Sequence, residues 1–494
     1  MSIASLLRAT ATRVGDGVAL YLEDGDTTSY ARLDSEVDRV AAGLQRLGIS
    51  KGDRVAIGLH NSPLFPSAYF AILRIGAVAV PLNVMLTEPE VARVLADSGS
   101  RILLTAPPFE PVAAAAAGST AVVERVLTPD NWDELGPLGE RPDEPEIAPD
   151  DLAVLAYTSG TTGEPKGAML THGNLVANLH QQMQVPDAKV LEDDVLFLAL
   201  PLFHIFGLNV TLGLMVMNGA SGVLMERFDP IPALELIQKY KVSVLFGAPT
   251  MYQAWVDTPG ADQYDLSSVR LAISGAAPLS EEVLSSFRGM FGVEIYEGYG
   301  LTETAPTLTS NRMAGSPRPG SIGMPLPEVE MRLVDEEDNE VEFGDPGEIV
   351  VRGPNVFKGY WNRKDATRAA FRDGWFHTGD VAVQDEEGYL YLVDRKRDLI
   401  IVSGFNVFPS EVELALVANP KVKHAAVVGV AHPYTGEAVK AYVVLQPGEQ
   451  TTQEELIDDV HSRLARFKSP QSVDIVDELP LLVTGKVLRR ALRT

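Results

Sequence analysis

The chain contains no cysteine. That excludes disulfides, zinc–thiolate sites, iron–sulfur clusters and a cysteine nucleophile, so any thiol in its chemistry must arrive with a substrate. Basic residues are scarce: 41 lysines and arginines face 67 aspartates and glutamates, for a formal net charge of −26. This balance argues against nucleic acid or an anionic membrane surface as the main partner. It leaves anionic small molecules open, because exposed charge is screened within about 8 Å at physiological salt and local cations decide. The 8 histidines show no metal-ligand spacing. No secretory signal is expected, since arginines interrupt the short apolar stretch of MSIASLLRATATRVGDG. One uncharged run, Val195 to Met225, has the length of a membrane span. Pro201, His204, Asn209, Asn218 and several glycines punctuate it, so it reads as a buried strand, a loop, a buried helix and a second strand. A cytoplasmic protein is the expectation.

What is present is an alternation of strand-like and helix-like segments. RVAIGL (Arg54 to Leu59), the helical Ser62 to Arg74 and the strand-like Ala77 to Leu82 form a βαβ unit, which implies a parallel sheet. Ala113 to Ala117 reads as a surface helix or loop, and the acidic, proline-rich Asp130 to Asp151 as an exposed linker. A second series begins at Leu152, with strands LAVLAYT, VLFLAL, SGVLME, SVLFGAP, VRLAIS and VEIYEGYG and helices at Ile231 to Tyr240 and Ser280 to Phe291. Glu330 to Arg352 alternates like an antiparallel hairpin. After Asp394 the pattern changes to short strands and helices, a small α+β domain. The division expected is 1–394 and 395–494.

The most informative segment is YTSGTTGEPKG, Tyr157 to Gly167. Its glycines let backbone N–H groups approach a polyphosphate, its hydroxyls add donors, and Lys166 adds a positive charge. It is not the Walker loop, which needs G-x-x-x-x-G-K-[ST]. The segment closely resembles the phosphate-binding signature of the adenylate-forming superfamily, which includes acyl-CoA synthetases, firefly luciferases and peptide-synthetase adenylation domains. Further motifs follow in that superfamily's order as far as Lys486.

The resemblance implies an α/β fold: a large N-terminal domain of stacked, mostly parallel α/β sheets plus an antiparallel β region, and a small mobile C-terminal α+β domain. It also implies sites. Thr158, Ser159, Gly160, Thr161, Thr162, Gly163 and Lys166 would bind ATP phosphates. In YEGYGLTET, Glu297, Gly298 and Tyr299 would frame adenine, Thr302 would contact the α-phosphate and Glu303 would hold Mg²⁺. Ala276 and Ala277 of SGAAP would lie along adenosine. Asp380 of WFHTGD would accept the ribose hydroxyls, and Arg395 would contact ribose or phosphate. Arg397 would be the hinge, where related ligases carry Asp or Lys, and Ser403 and Gly404 would line the coenzyme A tunnel. Lys486 of TGK would bridge the attacking carboxylate and the α-phosphate. His204 would gate an acyl pocket bordered by Gly275 and Gly300; acetate-specific relatives carry tryptophan at the latter position.

The activity implied is ATP-dependent formation of an acyl-adenylate with release of pyrophosphate, then transfer of the acyl group to coenzyme A. A carrier-protein thiol or an amine is the alternative acceptor. SGFNVFP resembles the corresponding stretch of medium- and long-chain fatty acid ligases and favours an aliphatic or aryl acid. The sequence is compatible with a homodimer.

Overall fold

The computed structural model describes the chain except residues 1, 159–164, 314–317, 396–397, 399, 403–404, 433–435, 465, 482–486 and 493–494. Two compact units emerge, Met1–Glu330 with Arg352–Phe376, and Met331–Val351 with His377–Thr494.

In the first unit the strands are β1 (Val18–Tyr21), β2 (Thr27–Ser29), β3 (Arg54–Gly58), β4 (Val78–Pro81), β5 (Ser100–Thr105), β6 (Arg125–Leu127), β7 (Leu152–Thr158) and β8 (Lys166–Thr171). There follow β9 (Val195–Leu198), β10 (Ser221–Leu224), β11 (Val244–Gly247), β12 (Leu271–Ser274), β13 (Ile295–Gly300), β14 (Thr307–Ser310) and β15 (Met324–Pro325). They form a six-stranded sheet, β6-β5-β3-β4-β7-β8, and a nine-stranded sheet, β15-β14-β13-β12-β11-β9-β10-β1-β2. Arg54 registers with Val78 in parallel, as the βαβ reading requires. Val55, Ala56 and Ile57 are all fully buried, which is why this strand is continuously apolar rather than alternating.

Partner choice differs from sequence order. The strand that opens the second series, β7, joins the first sheet beside β4. The N-terminal β1 joins the second sheet, with Leu20 opposite Gly222. Of two further expectations, one is met in part, with Ala114 and Ala115 exposed on a helix, and one needs correction. The alanine run belongs to the helix Glu110–Gly118, whose Ala113 and Ala116 are fully buried against Val94, Leu95 and Leu103. Alanine fills a core where a helix lies close to a sheet. Nor is Asp130 to Asp151 wholly exposed: Trp132 and Leu135 are buried in the 3₁₀ turn Pro129–Leu135. A Cβ on Gly43 would lie 2.6 Å from the Leu135 Cα, so this segment docks tightly on the helix Tyr30–Arg46. Arg74, 1% exposed at its side chain, is matched there by Asp34 and Asp38 at 2.5 and 2.7 Å.

The apolar run resolves as β9, a π-helical turn Phe206–Gly213 leading into the helix Leu214–Asn218, then β10. Among the described residues no helix is long and apolar enough to cross a membrane.

In the second unit β16 (Glu330–Val334) and β17 (Gly347–Arg352) share a sheet with β19 (Trp375–Gln384), numbered after the short β18 (Phe371–Arg372). On β19 lies the antiparallel β20 (Leu390–Arg395). A second, mixed sheet contains β21 (Ile400–Val402), β22 (Phe405–Val407), β23 (Val422–His432), β24 (Gly436–Leu445) and β25 (Ser472–Ile475). The helices Pro409–Val417 and Gln453–Arg463 bury Val412, Leu416, Leu456 and Val460 with Val427 and Val443. This is the expected small α+β region.

Gly43→Ala should cost about 1–3 kcal/mol through overpacking against Leu135. Gly118→Ala, whose new Cβ meets nothing within 4 Å, should be neutral or slightly stabilising. Urea midpoints of the two variants, compared with the parent chain, test the contrast.

Candidate active site

β7 and β8 are antiparallel neighbours, with Thr158 opposite Lys166. The glycine-rich segment is therefore the turn of a hairpin rather than the strand–loop–helix of a Walker site. Ser159, Gly160, Thr161, Thr162 and Gly163 lie outside the described residues. Beside these strand ends, the segment 357–361 runs along the outer edge of β8. Met169 donates its N–H to Gly359 O, Lys358 to Met169 O and Trp361 to Gly167 O, at 2.8–3.0 Å.

That segment also reaches the second signature. Phe357 N–H donates to Glu303 O at 2.8 Å. The Tyr360 hydroxyl donates to Glu303 Oε1 at 2.8 Å. The Lys166 ammonium lies over the Tyr360 ring, 5.4 Å from its centroid. Lys166 and Glu303, 137 positions apart in sequence, thus meet on one phenol ring. Tyr360 was not singled out in the sequence. Its only signal is an aromatic in GYW just after a predicted strand, which pattern alone does not distinguish from core.

Glu303 sits in the 3₁₀ turn Thr302–Thr304, between β13 and β14, and is 8% exposed. The turn is pinned by buried amides that the sequence reading also missed. Asn355 donates to Thr304 O at 2.8 Å, Asn209 to Ala305 O at 2.7 Å and Asn178 to Thr307 O at 2.7 Å. Asn178 also accepts the Thr307 N–H at 3.1 Å.

The remaining first-unit residues gather at the carboxyl ends of the parallel strands β11, β12 and β13, where open α/β sheets bind ligands. Ser274 registers with Glu297, and Gly275 follows directly. Ala276 adopts φ of 76°, a turn that swings the chain away from the strand end. Glu297, 6% exposed, accepts N–H groups from Leu279 at 3.2 Å and from Gly320. Burial pushes its carboxyl up to about 7, against the opposing pull of those two N–H groups. Glu297 thereby ties the loop after Gly275 to β13, with Gly298 and Tyr299 next in line.

A Cβ on Gly275 would lie 3.1 Å from the Phe206 ring. Phe206 stands edge-on to Phe246 at 6.3 Å, and its N–H donates to His204 Nδ1 at 3.3 Å. These two phenylalanines pack beside His204 and Gly275. Gly300 has a different reason to be glycine. A Cβ there would lie 1.9 Å from Pro306 O, at an irregularity in the β13–β14 pairing. Close backbone approach requires glycine at 300 whatever the pocket holds, so its small size is no measure of pocket depth.

In the second unit, Asp380 lies on β19, 4% exposed, with its N–H bonded to Thr378 Oγ1 at 3.1 Å. Gly379, at φ of 73° within the same strand, donates to Glu348 Oε1 at 3.1 Å. Asp380 registers opposite Arg395. The Arg395 side chain, Arg397, Ser403, Gly404 and Lys486 lie outside the described residues.

The chain is similar to known proteins along its whole length. A family model described as AMP-binding enzyme matches residues 7–361, and one for the AMP-binding enzyme C-terminal domain matches 411–486. The chain is 37% identical to a long-chain-fatty-acid–CoA ligase of Escherichia coli, covering 100% of this chain and 94% of that protein. It is 41% identical to a feruloyl-CoA synthase of an Amycolatopsis species, covering 95% and 94%. ATP-bound MatB from Rhodopseudomonas palustris superposes with a TM-score of 0.92 at 36% identity, covering 100% and 98%. The anthranilate CoA ligase AuaEII in complex with anthranoyl-AMP gives 0.91 at 29% identity, covering 100% and 96%.

The raised Glu297 carboxyl gives a pH dependence of stability. Its folded value, about 7, exceeds the ordinary 4.5, so the folded state holds this proton more tightly. The associated stability is fully present below about 4.5 and is lost as pH rises through about 7. Glu297→Gln should remove that loss. Relative to the parent chain, the variant should gain on the order of 2–3 kcal/mol between pH 4.5 and pH 8. Urea unfolding at the two pH values measures it, and a constant difference would contradict the assignment.

Proposed function

We propose, for a chain that belongs to the AMP-binding enzyme family and is an acid–CoA ligase, that its substrate is a medium- or long-chain aliphatic or aryl carboxylic acid. The observation that carries the site assignment is the meeting of Lys166 and Glu303 on Tyr360. It joins the end of the glycine-rich hairpin to the second signature within one unit.

In the first half-reaction a carboxylate oxygen of the acid attacks the α-phosphorus of ATP, and the bond to pyrophosphate breaks. The turn from Thr158 through Ser159, Gly160, Thr161, Thr162 and Gly163 donates hydrogen bonds to the phosphates, and Lys166 offsets their charge. Thr302 contacts the α-phosphate. Ala276 and Ala277 lie along adenosine, while Glu297, Gly298 and Tyr299 frame the adenine. Asp380 accepts the ribose hydroxyls and Arg395 supports ribose or phosphate. Lys486 aligns the attacking oxygen. No protein nucleophile takes part; alignment and electrostatics carry the reaction.

Magnesium fits this site. Glu303 is a hard oxygen donor, buried and held by a hydroxyl, and among the described residues no group of three or more His, Cys, Asp or Glu forms a separate cage. One carboxylate plus substrate phosphates is the usual way Mg²⁺ is held beside a nucleotide. When bound, the ion supplies positive charge against the phosphate oxygens, and Glu303 would hold it.

In the second half-reaction residues 395–494 turn about Arg397. Lys486 leaves, Ser403 and Gly404 line the pantetheine path, and the coenzyme A sulfur attacks the acyl carbonyl, expelling AMP. Such a turn is a conformational step of the kind that limits many turnovers. His204, Phe206, Phe246 and Gly275 border the acid.

Pyrophosphate release across an acid panel, with and without coenzyme A, tests the reading. Release should be weak with acetate and strong with longer aliphatic or aryl-propenoic acids. Lys486→Ala should slow adenylation by about 10²-fold or more and spare thioester formation from a supplied acyl-adenylate. Gly404→Leu should block thioester formation while pyrophosphate release persists. Equal loss in both half-reactions for either variant would contradict its role.

A further inference from the structure

The segment 357–361 belongs to neither nucleotide signature, yet it is hydrogen-bonded to both. Its main chain pairs with β8 on one side and takes the Glu303 carbonyl on the other. Tyr360 stands at the crossing. Its ring is fixed by an edge contact with Phe357 at 4.9 Å and 73°, and Phe357 is itself buried against Phe371 and Phe376. The Tyr360 N–H is bonded to Thr367 Oγ1 at 2.9 Å, anchoring the backbone as well. The phenol therefore has a locked position before any substrate arrives.

From that position it acts on two charged groups. Its hydroxyl donates to Glu303 Oε1, and its π face lies under the Lys166 ammonium. A hydrogen bond to a carboxylate fixes which way the carboxylate faces, and partners of this kind commonly decide metal affinity as strongly as the ligand itself. A cation over an aromatic face is held without a counter-ion, so it keeps its charge for a substrate anion.

We infer that Tyr360 is a positioning residue for nucleotide and metal, orienting the Glu303 carboxylate through its hydroxyl and seating Lys166 on its ring. The inference rests on the reading of Glu303 as the magnesium ligand. The two roles divide by chemistry: the hydroxyl serves the metal, and the ring serves the phosphates. Tyr360 touches neither reacting atom, so its effect passes through Glu303 and Lys166.

The test uses the full chain without acid or coenzyme A and with the α,β-methylene analogue of ATP, which cannot be adenylated from. Calorimetry gives the dissociation constant of the analogue with EDTA and with saturating Mg²⁺, and the ratio of the two is the metal's contribution. Tyr360→Phe keeps the ring and loses the hydroxyl. It should leave metal-free binding unchanged and reduce the ratio by about tenfold. In a Glu303→Gln background, Tyr360→Phe should change the ratio no further. Tyr360→Leu should also weaken metal-free binding, because Lys166 loses its platform.

A wild-type ratio for Tyr360→Phe, alongside a collapsed ratio for Glu303→Gln, overturns the inference and leaves the metal reading standing. A wild-type ratio for Glu303→Gln overturns the metal reading and the inference with it. Equal weakening with and without metal in Tyr360→Phe would show general loosening and also overturns the inference.

Discussion

The arrangement of this site depends on how an irregular, buried stretch of backbone is satisfied. Residues 301–306 cross between two strands without a regular ladder of their own, and Thr304 and Ala305 are fully buried. A buried carbonyl without a donor costs about 1–3 kcal/mol. Side-chain amides supply the donors: Asn178 from the helix His172–Gln182, Asn209 from the π-helical turn and Asn355 from the loop after β17. Three regions distant in sequence therefore fix the turn that carries Thr302 and Glu303. Asn209 lies five residues after His204, so the π-helical turn and the turn that carries Thr302 and Glu303 are tied by the same bond. A shift of the π-helical turn would pull directly on the turn at 302–305.

Much of the fold was legible because periodicity and apolar runs report burial. The βαβ unit, the strands of the second series, the antiparallel hairpin region and the small α+β region all follow from that signal. It does not report partners. A strand with an apolar core such as β7 carries no mark of which neighbour it will pair with, and only the three-dimensional path decides. The alanine run was legible as a surface helix but not which of its faces is buried, because alanine is neutral in composition and its burial is set by how closely neighbouring elements approach. Trp132 and Leu135 were lost inside a segment whose charges and prolines dominated the reading.

The site divides along the same line. Residues inside contiguous motifs can be singled out from sequence, because short-range geometry sets their spacing. Tyr360, Asn178, Asn209, Asn355 and Phe246 were not, since each acts through a partner far away in sequence. Glycine shows the limit most clearly. Gly275 and Gly300 look alike in the sequence, yet one makes room for the Phe206 ring and the other for the Pro306 carbonyl. The missing side chain opens space toward a ligand at most in the first case. Inferring pocket size from a glycine requires knowing what occupies the place of its Cβ.

A chain of net charge −26 that takes a polyanionic nucleotide must keep its few site cations available. The obvious hazard is internal pairing. A lysine and a glutamate 4 Å apart attract by about 4 kcal/mol at an effective dielectric of 20, enough to hold both away from substrate. Here the link between Lys166 and Glu303 runs through a neutral phenol. The ring's contribution to the lysine is on the order of 0.5–2 kcal/mol, and the hydroxyl's to the carboxylate is about 1.5–3 kcal/mol. Both are large enough to set position and small enough for phosphate and metal to outcompete. On the proposed reading, one aromatic side chain positions both charged groups, the lysine through its ring and the carboxylate through its hydroxyl.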